Sequence, residues 1–214
     1  DIGVTGVQTC ALPISSGFQP HAGVAVIAKN TWSAMRGRDA LQLRWAPGPN
    51  GGYDSRAFEK TLAQTSRAAA QVVRNRGDAP GVLARARRKV VAEYVMPHLA
   101  HAPMEPPVAV ARVADGRCII TASTQDPQGT RVEVAKALGL SLDAIEVHLP
   151  LLGGGFGRKS KPDFAVEAAL LAQMIPGTPI KVLWTREDDI RHGYFHTICA
   201  AHLEASLDDS GRVT

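Results

Sequence analysis

Four glycines fall within five residues in the segment LLGGGFGRKS (151–160), and the residues on either side of them fix the local architecture. The apolar run at 145–151 reads as a strand. After the glycines, Pro162 opens a stretch carrying Phe164, Val166, Ala169, Leu170 and Ala172, which reads as a helix. The chain must therefore hold a strand, a turn that exposes its backbone, and a helix in succession. Glycine permits positive φ and lets backbone N–H groups come close to an anion or an oxo group. A helix starting just beyond adds the positive end of its dipole. Two familiar phosphate loops do not match. Arg158 separates Gly157 from Lys159 where a P-loop needs Gly-Lys, and it stands where a G-x-G-x-x-G pattern begun at Gly153 needs glycine. The plainest alternative is a tight turn that needs glycine only for its own conformation.

The rest of the chain alternates between the two periodicities. Residues 23–45 read as strand, helix and strand: an apolar run at 23–28, a helix capped by Thr31 and running to Ala40, then Leu41, Leu43 and Trp45 alternating with Gln42 and Arg44. The Gly- and Pro-dense stretch 46–54 is a loop. Asp54 or Ser55 can cap a helix that runs to about Arg76 and ends at Gly77. A strand follows at 89–96, closed by Pro97. Strands at 108–113 and 117–123 are joined by Asp115-Gly116, a favoured hairpin pair. Pro127 opens a helix through Leu138 that Gly139 stops. Further strands are expected at 180–184 and from His202. The class is α+β, a mixed α/β fold.

Composition narrows the function. The chain has 214 residues, 45% of them hydrophobic, and a net charge of +4, which is globular rather than disordered or fibrous. Its three cysteines are too few and too scattered for a disulfide scaffold or a C-x-x-C metal pair. Arg85, Arg87, Arg88 and Lys89 form one basic run without interleaved aromatics. It reads as a solvated face, and no nucleic-acid partner is expected. The 27 residues between Asp1 and Lys29 carry no Asp, Glu, Lys or Arg, yet Pro13, Pro20 and several glycines break them. They read neither as a membrane span nor as a signal peptide, so no membrane insertion is expected and the compartment, bacterial cytoplasm or periplasm, stays open. Residues 1–15 (DIGVTGVQTCALPIS) resemble a translated sequencing adapter and are expected to be non-native.

Several polar residues are candidates for a site. Gln125, after the strand at 117–123, can donate an amide hydrogen bond to a ligand oxygen; alternatively Ser123, Thr124 or Asp126 caps the helix that follows. His98, His101 and Glu105 have a spacing a metal could use, but prolines at 97, 103, 106 and 107 disrupt a regular helix there, and hydrogen-bonded structural histidines are expected instead. His192, Tyr194 and His196 are further candidates, against ordinary loop polarity. No G-x-S-x-G elbow supports serine hydrolase chemistry.

Taken in order, HAPMEP (101–106), STQDPQGTR (123–131), GGGFGRK (153–159) and VLWTREDDIRHGY (182–194) resemble the molybdenum hydroxylases, the molybdopterin-binding large subunits of the xanthine dehydrogenase and aldehyde oxidase family. The branch it resembles holds the isoquinoline 1-oxidoreductase beta subunit and aldehyde dehydrogenase-like relatives. The resemblance covers residues 18–214. It implies that 16–53 is the C-terminal part of an a/b hammerhead domain, 54–79 a linker helix, and 80–214 the first part of a molybdopterin-binding domain.

The resemblance also implies chemistry. A carbon next to nitrogen, or an aldehyde carbon, is oxidised with oxygen from water, and electrons leave through iron–sulfur clusters. The cofactor is molybdopterin, as its cytosine dinucleotide, carrying molybdenum. The pterin holds the metal, so no protein metal ligand is expected. Gln125 matches the glutamine that bonds a molybdenum oxo ligand. Gly154, Gly155, Phe156, Gly157 and Arg158 match the loop lying against the cofactor, and Phe156, Ser160 and Tyr194 are placed at the substrate pocket. Ser160 stands where xanthine-oxidising members carry glutamate, so a neutral N-heterocycle or an aldehyde is the implied substrate. The family's general-base glutamate lies beyond Thr214, so no catalytic residue is expected within the chain, which alone should be inactive. The [2Fe-2S] clusters would sit on a small partner subunit, because three cysteines cannot bind them. The competing readings are a phosphate- or nucleotide-binding module on the Gly153–Gly157 loop, and a non-catalytic scaffold of the same fold.

Overall fold

The computed structural model describes residues 7–8, 20, 23–46, 48 and 50–214. In chain order the elements are β1 (Val7–Gln8), β2 (Ala25–Val26), α1 (Thr31–Asp39), α2 (Ser55–Thr65), α3 (Ala79–Arg85), β3 (Arg88–Met96), β4 (Val108–Ala114), β5 (Arg117–Ala122), α4 (Pro127–Leu138), β6 (Ile145–His148), α5 (Asp163–Met174), β7 (Ile180–Leu183), α6 (Arg186–His192) and β8 (Cys199–Leu207). The fold is mixed α/β, as expected from the alternating periodicities. It divides into two compact units: Asp1–Ala46 with Ala100–Tyr194, and Pro47–Leu99 with Phe195–Thr214.

The first unit is built on a four-stranded sheet in the order β6-β5-β4-β7. The β4–β5 hairpin turns at Asp115 and Gly116, both at positive φ (51° and 71°), which is the backbone a two-residue hairpin needs. Strand β6 runs parallel to β5, and β7 antiparallel to β4. One face of the sheet is buried. Ala109, Ala111 and Val113 of β4 and Cys118, Ile120 and Ala122 of β5 alternate inward. They pack against Phe164, Ala165, Ala168, Ala169 and Ala172 of α5 and Val134, Ala135 and Leu138 of α4. Alanines on both sides of the seam let α5 lie close against the sheet. Helix α4 is closed at both ends by local chemistry: Asp126 Oδ1 accepts from Gly129 N at 2.8 Å, and Gly139 leaves the helix at φ 67°. In the same unit β1 pairs antiparallel with β2.

The second unit holds a nine-residue antiparallel ladder, β3 with β8, in register from Arg88↔Leu207 to Met96↔Cys199. Helices α2 and α3 pack against β8. Glu93 and His202 are direct cross-strand partners, and Arg67 joins them with paired bonds of 2.5 and 2.6 Å to the Glu93 carboxylate.

Several elements differ from the sequence expectation. Residues 41–45 do not form a strand; Leu43 and Trp45 are exposed, so the alternation has no core to face. The helix expected to reach Arg76 stops at Thr65, because Val72 and Val73 beyond it are 72% and 94% exposed and offer no buried face to sustain it. Asn30, rather than Thr31, caps α1. The strand expected over 145–151 ends at His148, just ahead of Pro150. Two short helices were not anticipated. Asp78 caps α3, with Pro80 in its first turn. Thr185 and Asp188 form a reciprocal capping box at the start of α6. The adapter-like residues lie almost wholly outside the described residues.

Candidate functional site

Sheet topology brings four separate sequence motifs to one edge. Because β5 and β6 are parallel, the loops leaving their C-terminal ends emerge side by side. These loops carry Ser123–Asp126 and Gly153–Gly157. Strand β4 runs the other way, with Ala109 opposite Ala122, so the segment 101–106 that feeds β4 arrives at the same edge. Leu183 pairs with Val108, which sends Trp184–Arg186 there as well.

Hydrogen bonds lock the loops to one another. Gln125 N donates to Lys159 O at 2.9 Å, and Thr124 Oγ1 donates to the same carbonyl at 3.0 Å. Gly157 N donates to Gln125 Oε1 at 2.9 Å. The Gln125 carbonyl oxygen is thus occupied by the loop, and the side-chain NH₂ is the group left to donate. Gly154 and Gly157 take φ 90° and 98°, and Phe156 takes φ 53°. A Cβ on Gly155 would lie 2.4 Å from Gln125 Oε1, so only glycine lets the loop reach the glutamine. Phe156 itself is 73% exposed at the tip.

The charged residues of the loop face inward. The Arg158 guanidinium is buried, bonded at 2.8 Å through both terminal nitrogens to the Asp163 carboxylate. It lies between the rings of Trp184 and Tyr194, 5.1 and 5.3 Å from their centroids. The Arg158 guanidinium is therefore committed to the interior, with the Tyr194 ring packed against it. Lys159 is wholly buried and its ammonium meets Glu105. Burial works to raise the Glu105 carboxyl, but bonds from Lys159, Ser123 and the Gly153 N–H outweigh it and hold the group below the usual carboxylate range. Ser160 Oγ donates to Gly157 O at 2.6 Å, so its hydroxyl hydrogen is already committed to the loop. On α5, burial pushes the Glu167 carboxyl up to about 7, even though Trp184 Nε1 donates to it at 2.8 Å.

The histidine candidates do not converge. His98 bonds Tyr53 Oη at 2.8 Å and the carbonyl of His196 at 3.0 Å, within the second unit. His101 belongs to the first unit and lies beneath Gly157, with Nε2 3.7 Å from where a Cβ on that glycine would stand. His192 is exposed at the end of α6. Among the described residues, no group of three His, Cys, Asp or Glu side chains is placed to hold a metal ion. The chemistry present is that of neutral amide donors and close backbone, which suits a cofactor that carries its own metal ligands. Local sequence pattern marks Glu105 only as a metal candidate and gives Lys159 no role. Their pairing spans 54 residues and has no local signature.

Residues 63–214 match the molybdopterin cofactor-binding domain. The chain belongs to that family. The isoquinoline 1-oxidoreductase subunit beta of Brevundimonas diminuta is 32% identical over 200 residues, which is 88% of this chain and 25% of the relative. The aldehyde oxidoreductase molybdenum-binding subunit of Escherichia coli O157:H7 is 26% identical over 196 residues, 91% of this chain and 26% of that one. Among solved structures, quinoline 2-oxidoreductase from Pseudomonas putida 86 superposes with a TM-score of 0.57 at 26% identity, covering 64% of this chain and 18% of its own. The chain spans about a quarter of the length of the curated relatives it matches. The matched region contains all four motifs that meet at the sheet edge.

Proposed function

We propose that this chain is part of the molybdopterin-binding large subunit of an oxidoreductase that hydroxylates an N-heterocycle or oxidises an aldehyde, with water as the oxygen source. The observation that carries the reading is the Gln125 amide. Its oxygen is tied to Gly157 N, and its NH₂ is left as a neutral donor beside the glycine loop. Such a donor bonds an oxo group without competing as a metal ligand. The bound cofactor, in its cytosine dinucleotide form, supplies the two-electron redox chemistry. In this reading Gly154, Gly155, Phe156 and Gly157 lie against it, Arg158 contributes its backbone, and Phe156, Ser160 and Tyr194 border the substrate. With Ser160 where xanthine-oxidising members carry glutamate, the pocket favours neutral substrates. The general-base glutamate and the [2Fe-2S] clusters are assigned outside these residues, the clusters to a small partner subunit.

A phosphate-binding role for the loop is less favoured, because both of its cations, Arg158 and Lys159, are buried in ion pairs. Metal analysis and pterin fluorescence of the full-length subunit test the proposal. Molybdenum and pterin are expected together; a subunit with neither would sink it.

A further inference from the structure

We infer that Glu105 is the positioning residue of the glycine loop: its carboxylate grips Gly153 and Lys159, one at each end, and so sets where the Gln125 amide and the Gly154–Gly157 backbone stand. The geometry is independent of any ligand; only the consequence for a cofactor rests on the proposed function. One oxygen, Glu105 Oε2, collects three donors: Ser123 Oγ at 2.8 Å, Gly153 N at 3.1 Å and the Lys159 ammonium. Two come from the ends of the glycine loop and the third from the end of β5. Glu105 N also donates to Gly153 O at 3.0 Å, closing a two-way bridge. A Cβ on Gly153 would fall 2.5 Å from Glu105 Cβ, so the two backbones meet as closely as glycine allows.

The grip reaches the site through Lys159. Its side chain is held by Glu105, while its carbonyl accepts from Gln125 N and Thr124 Oγ1. Gln125 in turn holds Gly157 through Oε1. Glu105 is anchored from behind. The Arg186 guanidinium bonds the carbonyl of Pro103 and, at 3.3 Å, that of Met104, and is itself fixed by the buried Asp189 at 2.7 Å. A wholly buried ammonium requires a counter-charge, which a neutral residue at 105 cannot supply. The carboxylate therefore does two things: it neutralises Lys159 and it fixes the loop's register.

The test uses the full-length subunit. Amide hydrogen exchange is followed at residues 153–159 and at strands 109–113 and 118–122, together with the Mo(V) electron paramagnetic resonance spectrum. Glu105→Gln is expected to speed exchange in the loop by about tenfold or more while the strands stay within about twofold of wild type. It is also expected to shift the Mo(V) signal, and Glu105→Asp should recover part of both. Should Glu105→Gln fail to accumulate because Lys159 is left unpaired, Glu105→Ala/Lys159→Met removes the orphaned charge and must still show the fast loop. Loop exchange unchanged in the double variant, or loop and strands accelerating together, overturns the inference. So does an unaltered Mo(V) spectrum in a variant with a fast loop. A subunit without molybdenum would refute the proposed function, and the exchange measurement would still decide the role of Glu105.

Discussion

Glu167 sits on α5, four residues from Asp163, with Trp184 Nε1 donating to it. Folded, it keeps its proton up to about pH 7, whereas its ordinary value is 4.5. Between those values the folded chain binds the extra proton, so stability falls as pH rises through that window and levels off above it. A shift of this size corresponds to about 3 kcal/mol at most. Glu167→Gln keeps an oxygen for Trp184 and removes the titration. Thermal unfolding should find the variant gaining on wild type at pH 8 and nearly matching it at pH 4.5. An equal gap at both pH values would refute the assignment. Gln125 could be singled out from its place after a strand, because a short-range pattern put it there. Glu105 and Lys159 could not, because what makes them partners is the arrival of two distant loops at one sheet edge.

Elements whose limits are set by adjacent residues were legible in the sequence. Helix α4 runs from Pro127 to Leu138 as expected, since its N-cap, first-turn proline and closing glycine are all local. Asp126→Ala should cost about 1 kcal/mol in urea unfolding, and Asp126→Asn much less. A loss of similar size in both variants would show that the cap bond is not the source. The Asp115-Gly116 hairpin was readable for the same reason. Residues 41–45 and 66–76 depart from their local pattern because alternation and alanine content make a strand or helix only where a face is buried, and here Trp45, Val72 and Val73 face solvent.

Across the whole chain, apolar surface is left uncovered in both units. In the second, Val90, Val91, Val95 and Leu203 are 43–56% exposed on a sheet of two strands. In the first, Met104, Leu151 and Phe156 stand at the candidate site, 89%, 97% and 73% exposed. Large exposed apolar patches mark surfaces that other protein normally covers. The 214-residue chain on its own is therefore expected to self-associate, and sedimentation velocity should record species heavier than 22.7 kDa. A monomer with a single cooperative unfolding transition would contradict this.

The sequence by itself determined the mixed α/β class, the hairpin, α4 and the strand–glycine loop–helix unit, because caps, turns and periodicity act over a few residues. Four ordered motifs also sufficed to expose the family resemblance. Only the tertiary structure decided what those motifs do together. The parallel pairing of β5 with β6 delivers their loops to one edge. There a buried lysine requires the carboxylate of Glu105, and the oxygen of Gln125 is taken by the loop, which leaves its NH₂ as the group free to donate. Those are consequences of burial and long-range register, which no local pattern encodes.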